Sequence, residues 1–201
     1  MKIPYLYILI VFLLFTKGYT QEQRIFKQGI YTSWEELIKN TPKYPNIPLV
    51  TYKKIKTYNI LDEIHRIAVL NISGNNAKKI GNAFAFSNGK ELFVNDKKTS
   101  LSKSPCFTLI EMHGKNFGIY NDLFAVSLNK KIGAGKFPMY CKISGTNILD
   151  FDKKTIIKIN GKNSLKKLIA SDQELLQEFE SEDDKNEVIK LYIIQFLLRK
   201  S

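Results

Sequence analysis

Between residues 49 and 160 the apolar residues come in short runs broken by turn signals. Past residue 160 their spacing changes to that of helices. This change of period restricts the fold more than any other feature. Short runs rich in Val, Ile, Phe and Tyr and bounded by Gly, Asn, Asp or Pro read as strands. They fall at 49–53, 65–72, 83–86, 91–95, 107–112, 117–120, 123–128, 139–143, 147–151 and 155–159. The clearest hairpin turns on Ser87-Asn88-Gly89-Lys90, because Asn-Gly favours a type I′ turn. Gly114-Lys115-Asn116 marks a second turn.

Helices are confined to the two ends. Thr32 is placed to N-cap a short helix, with Glu35 completing a capping box. Trp34, Leu37 and Ile38 give this helix an apolar side, and Asn40 and Pro42 stop it. Near the C-terminus, residues 164–170 form a turn or two of helix. Ser171-Asp172-Gln173-Glu174 caps a second helix carrying Leu175, Leu176 and Phe179. Asp183 or Asp184 then starts the longest helix, ending near Arg199. The predicted class is α+β: an antiparallel meander sheet, curled or half-barrel, with a short N-terminal helix and C-terminal helices.

Residues 4–15 are almost purely apolar, preceded by Lys2 and followed by Lys17 and Gly18. A spanning helix needs about 20 apolar residues, so this run suits a secretory leader. Gly18 and Thr20 are small enough for the cleavage site, which predicts a signal peptide at 1–20. A single α+β domain then occupies 21–201, with no transmembrane anchor after cleavage. Cleavage after Gly18 is the alternative.

Lys and Arg number 31 against 19 Asp and Glu. Only Arg24, Arg66 and Arg199 carry the planar fork that suits oriented recognition of phosphate. The basic pairs are scattered, and the segment 172–187 concentrates acids against Lys185 alone. This pattern argues for a solvated Lys-rich surface and against sequence-specific nucleic-acid binding. Cys106 and Cys141 are the two cysteines. Strand alternation points both thiols toward the core. A disulfide between them and a pair of buried free thiols both stay open.

Three stretches together resemble a family. They are Phe26-x-x-Gly29-Ile30-Tyr31-x-x-Trp34-Glu35 with Asn40 and Pro42; Ala83-Phe84-Ala85-Phe86 with Asn88-Gly89-Lys90 and Leu92-Phe93-Val94-Asn95; and Leu149-Asp150 with Leu175-Leu176-x-x-Phe179. They look like uncharacterised secreted proteins of Bacteroidota-type Gram-negative bacteria that carry a domain of unknown function. The resemblance covers most of residues 25–198. It implies export and a compact domain, and it implies no activity.

The residues supply no catalytic, cofactor or metal signature. Gly133-Ala134-Gly135-Lys136-Phe137 lacks the Ser or Thr of a phosphate loop. His65 and His113 are the only histidines and sit in no zinc or triad pattern. His113 shares a strand face with Glu111 and is placed to pair with it. Cys106 with His113 would make a nucleophile only if the thiol were exposed. Asp150 and Asp152, with Glu111 or Asp122, are the candidate carboxylates for glycoside chemistry, against a plain reading as turn-forming acids. Asn71-Ile72-Ser73 is a glycosylation sequon that only a eukaryotic host would use.

The last helix carries the clearest pointer to a partner. At about 100° per residue, Glu187, Lys190, Ile194 and Leu197 form one stripe, while Val188, Tyr192 and Phe196 form the opposite, core-facing side. The stripe is either covered by the domain itself or left to dock a protein partner or a second copy. The leading functional reading is therefore an exported, non-enzymatic binding or interaction domain of the cell envelope or extracellular space. A small hydrolase of envelope polymers and a Lys-rich polyanion binder are the alternatives.

Overall fold

The computed structural model describes residues 24–46, 50–57, 64–70, 80, 83–95, 106–125, 140–183, 185 and 188–200. The leader expected at 1–20, the glycine-containing stretch at 133–137, the sequon at Asn71 and Glu187 lie outside these residues.

The strands are β1 (Gly29–Tyr31), β2 (Val50–Thr57), β3 (Ile64–Leu70), β4 (Ala85–Ser87), β5 (Leu92–Val94), β6 (Cys106–Leu109), β7 (Met112–His113), β8 (Phe117–Ala125), β9 (Tyr140–Asp150) and β10 (Thr155–Ile159). The helices are α1 (Trp34–Lys39), α2 (Lys162–Ile169), α3 (Gln173–Ser181) and α4 (Ile189–Lys200). The α+β class is the architecture observed, with these four helices toward the two ends of the chain; Ile80, between them, is also helical. One sheet runs in the order β1-β4-β5-β6-β3-β2-β9-β8-β7, with β10 on β9. Sequential hairpins supply much of the pairing, but β3–β6 and a short parallel contact between β2 and β9 are long-range. Two residues separate β6 from β7 in the chain, yet β7 pairs with β8 at the far end of the order. The sheet therefore curls back on itself.

Two pairs of expected strands merge. Residues 117–120 and 123–125 belong to the single strand β8, and 140–143 and 147–150 to β9. Asn121, Asp122 and Gly145 read as turn residues, but Asp122 faces Gly145 across β8–β9 at a register shift. A Cβ on Gly145 would lie 2.5 Å from the Ile159 carbonyl oxygen, so its smallness serves the approach of β10 and not a turn. The β4–β5 hairpin has four loop residues and not a two-residue type I′ turn. Here the Asn88 side chain accepts from the N–H groups of Lys90 (2.9 Å) and Glu91 (2.8 Å), which organises a longer turn.

Helix α1 starts one residue later than expected. Ser33 is its N-cap, accepting from Glu36 N–H, and the Glu36 carboxylate reaches back to Thr32 N–H at 2.6 Å. Glu35 instead pairs with Lys154 at 3.0 Å. At the other end Asn40 takes the left-handed conformation (φ 54°). Its side chain receives Lys27 N–H and Tyr31 O–H and donates to the Ile25 carbonyl. Gly29 (φ 145°) lies where a Cβ would meet Pro42 at 2.6 Å. Gly29, Tyr31, Asn40 and Pro42 thus act together to fold the N-terminal segment onto α1. Asp172, and not Ser171, caps α3, and α4 begins at Ile189 instead of Asp183 or Asp184.

The helical layer α2–α4 covers the face of β8, β9 and β10 that carries Phe117, Ile119, Ile148 and Ile159. Leu165, Ile169, Leu175, Phe179, Tyr192, Ile193 and Phe196 complete this core. Tyr192 and Phe196 are on the predicted core side of α4. A second cluster joins Phe26, Tyr31 and Leu37 to Tyr120, Leu149 and Phe151. Two others fill the curl of the sheet, around Phe86, Phe93 and Phe107 and around Ile55, Ile67, Leu123 and Cys141.

Candidate functional site

Ile148 and Asp150 project from one face of β9, two residues apart. Ile157 of β10 lies opposite Ile148, and Phe117 of β8 opposite Asp150. Leu168 of α2 and Phe196 and Leu197 of α4 come down over this face. The space left between strands and helices is a cavity of about 400 Å³. That is within the range of about 300–1,000 Å³ for small-molecule sites.

The cavity has two kinds of wall. Its apolar part is Phe117, Ile148, Ile157, Leu168, Phe196 and Leu197, and its rim is Asn116, Asp150, Asp152, Lys153, Ser171 and Lys200. Asp150 is fixed by the β9–β10 turn: its Oδ1 accepts from Lys153 N–H at 2.8 Å, and its Oδ2 lies 3.7 Å from Lys153 Nζ. Across the rim, Lys200 Nζ donates to Ser171 Oγ at 2.8 Å and lies 4.8 Å from the Phe196 ring centroid. The helices are tied down beside the cavity. Arg199 reaches Asp172 and Glu174 at 3.2 Å and Glu178 at 3.7 Å, joining the end of α4 to α3.

Of the four candidate carboxylates, the structure brings Asp150 and Asp152 to the cavity. It engages Glu111 and Asp122 elsewhere. Glu111 accepts from Asn121 Nδ2 at 2.8 Å, lies 3.5 Å from His65 Nδ1 and pairs with Lys190. Burial raises the Glu111 pKa, but the bonds and charges of His65 and Lys190 outweigh it and hold the group below the ordinary carboxylate range. Asp122 accepts from Ser144 Oγ at 2.5 Å and pairs with Lys158. His113 was placed to pair with Glu111, but His65 takes that position. The His113 ring instead packs edge-on to Phe26 at 5.6 Å, and burial lowers its pKa. Chain irregularity between β6 and β7 breaks the alternation that would have put His113 and Glu111 on one face.

Cys141 is a buried free thiol in the Ile55–Ile67–Leu123 cluster, and burial pushes its pKa up to about 11. Cys106 begins β6, with β3 and β2 between its strand and β9; its side chain is outside the described residues. In the α4 stripe, Lys190 pairs with Glu111, and Ile194 and Leu197 are half-buried against the helix–sheet core. Leu197 is the member that lines the cavity. Among the described residues, no group of three or more His, Cys, Asp or Glu could hold a metal ion. Nor is any described helix long and apolar enough to cross a membrane.

The apolar lining escaped sequence reading because Phe117, Ile148, Ile157 and Leu168 look like ordinary core positions. The usable signal was the flanking polar set, Asp150, Asp152, Lys153 and Lys200, at the ends of otherwise apolar elements.

Residues 29–200 match the family described as "Family of unknown function (DUF6563)", and the chain belongs to it. No curated protein and no solved structure matches the chain.

Proposed function

We propose that this chain is an exported, non-enzymatic binding domain of the cell envelope or extracellular space, whose site is the cavity between β8–β10 and helices α2 and α4. The observation that carries the reading is the cavity's division into an apolar lining and a charged rim. A ligand suited to it has an apolar body and a polar or charged end. Export rests on the leader-like segment with Lys2, its short apolar run and the small residues Gly18 and Thr20. The bacterial envelope setting rests on the resemblance of the Phe26–Pro42, Ala83–Asn95 and Leu149–Phe179 residues.

The test is titration of the mature chain with a naphthalene-sulfonate dye, followed by displacement with a medium-chain fatty acid. One displaceable dye per chain is expected. Leu168→Trp, which fills the cavity, should abolish binding while leaving a cooperative unfolding transition. Dye binding that Leu168→Trp leaves untouched would remove the cavity from the proposal. Mass spectrometry of the exported form should place its N-terminus at Gln21, and a membrane-embedded species retaining Met1 would sink the export reading.

One observation favours a second reading, a hydrolase of envelope polymers: Asp150 and Asp152 both line the cavity. Release of soluble fragments from peptidoglycan by the wild type, lost in both Asp150→Asn and Asp152→Asn, would establish it over the binding reading.

A further inference from the structure

The segment before β1 lies against the β4–β5 hairpin and is fixed there by side chains. Asn40 Nδ2 donates to the Ile25 carbonyl at 2.8 Å, Asn40 Oδ1 accepts from Lys27 N–H at 2.7 Å, and Ser87 Oγ donates to the Phe26 carbonyl at 3.2 Å. Between this segment, the hairpin and His113 of β7 is a cavity of about 170 Å³. It shares no lining residue with the larger cavity under the helices.

The lining is apolar on one part and cationic on another. Phe26 and Leu92 are buried, and Ile25 beside them is 78% exposed, an unusual state for a large apolar side chain. Arg24 and Lys90 bring the cations. Arg24 is positioned: its guanidinium carbon lies 5.6 Å from the ring centroids of both Phe26 and Phe151. Aromatic contact uses the face of a guanidinium and leaves its in-plane N–H groups to meet an acceptor. Among the described residues, no ion pair engages Arg24 or Lys90. The carboxylate in the lining, Glu91, is held by Arg66 and Asn88 instead.

His113 packs edge-on to Phe26, and its Nδ1 is buried without a hydrogen-bond partner among the described residues. A proton there would have no acceptor, so the neutral ring carries it on Nε2. Burial lowers the His113 pKa, so the ring adds no charge to the cavity at neutral pH.

We infer that this cavity binds a small organic carboxylate. The planar fork of Arg24 matches the two oxygens of a carboxylate, and Lys90, on the exposed hairpin loop, adds a mobile point charge. Phe26, Leu92 and Ile25 take an apolar body, which inorganic phosphate lacks. At about 170 Å³ the space is smaller than the roughly 300–1,000 Å³ of drug-sized sites, so the occupant is a short acid. The inference stands or falls independently of the ligand proposed for the larger cavity.

The experiment follows the histidine ring protons by NMR while the purified chain is titrated with benzoate. The chain has two histidines, and His113→Phe assigns their signals. The His113 signal should move along one saturating curve while that of His65 stays in place. Arg24→Gln should raise the half-saturating concentration about ten- to a hundredfold, through loss of a charge-assisted bond. Arg24→Lys, which keeps the charge and loses the fork, should fall between it and the wild type. Lys27→Gln, which removes an exposed charge of the same segment from outside the cavity, should change nothing. Glu22 lies outside the described residues, and Glu22→Gln should bind benzoate as the wild type does. Benzamide has the same shape without the charge and should leave the signal unmoved. Equal weakening by Arg24→Gln and Lys27→Gln would show diffuse attraction and overturn the inference. So would the absence of a saturable shift, binding in Glu22→Gln alone, a response to benzamide equal to that of benzoate, or tighter binding of inorganic phosphate.

Discussion

Lys190 of α4 pairs with Glu111 at the junction of β6 and β7, linking the last helix to the point where the sheet curls back. Glu111 also receives Asn121 and lies against His65. The two partners should therefore differ in their effect on stability. Lys190→Gln removes one partly exposed ion pair and should cost about 0.5–1 kcal/mol. Glu111→Ala also strips Asn121 Nδ2 of its acceptor and should cost about 2 kcal/mol. Urea unfolding of both variants checks the order, and equal costs would mean the Asn121 and His65 contacts contribute nothing.

Acid should destabilise the fold in two steps. Burial lowers the His113 pKa below 6.5, so the unfolded chain takes up that proton first. Its contribution is complete above pH 6.5 and is lost as pH falls through the folded value. Glu111 is held below its ordinary 4.5 once its bonds to His65 and Lys190 offset burial. Its contribution is present above pH 4.5 and disappears below it. Unfolding midpoints measured from pH 7 downward should show both losses, and His113→Phe should remove only the upper one.

Asn40 holds the left-handed conformation that ends α1 and gathers three partners from the preceding segment. Asn40→Ala loses the bonds to Lys27, Tyr31 and Ile25 and strains the backbone, for a cost of about 2–3 kcal/mol. Asn40→Gly retains only the backbone freedom. It should fall between the two in thermal unfolding, and the difference between the variants isolates the conformational part.

Sequence periodicity located the helices at both ends and matched β10 at both of its limits, because those segments are regular and bounded by turn residues. It split β8 and β9, since Asn121, Asp122 and Gly145 carry turn chemistry but serve a register shift and a close strand approach. The cavity was half legible. Asp150, Asp152 and Leu197 were singled out, yet their meeting depends on α2 and α4 closing over β8–β10, a long-range event that local spacing does not encode.

Cys141 sits among Ile55, Ile67 and Leu123, and burial raises its pKa to about 11. The thiolate is the reactive form, so alkylation by iodoacetamide at pH 8 should be slow in the folded chain and fast in urea. A raised folded pKa also means stability is full below pH 9 and declines above it. Rapid native alkylation at Cys141 would contradict its burial. A peptide linking Cys141 to Cys106 under non-reducing digestion would overturn the free-thiol state of Cys141.

The last prediction separates the two roles open to the α4 stripe. Ile194 and Leu197 are half-buried, with one side against the helix–sheet core, and Leu197 also lines the cavity. Replacing both with Ser removes apolar contacts from that core and places hydroxyls beside it. For half-buried positions the cost should be about 2–3 kcal/mol, below that of full core truncations. Phe179→Ala, in the same core and fully buried, sets the upper comparison at about 3–5 kcal/mol. If the stripe serves this domain alone, the double variant loses stability and dye binding together, and its mass in solution stays that of the wild type. If the stripe docks a partner or a second copy, a concentration-dependent assembly of the wild type disappears in the variant at temperatures where its monomer is still folded. Sedimentation and thermal unfolding on the same samples read both outcomes. A variant with wild-type stability, assembly and dye binding would show that Ile194 and Leu197 serve neither the core nor a partner.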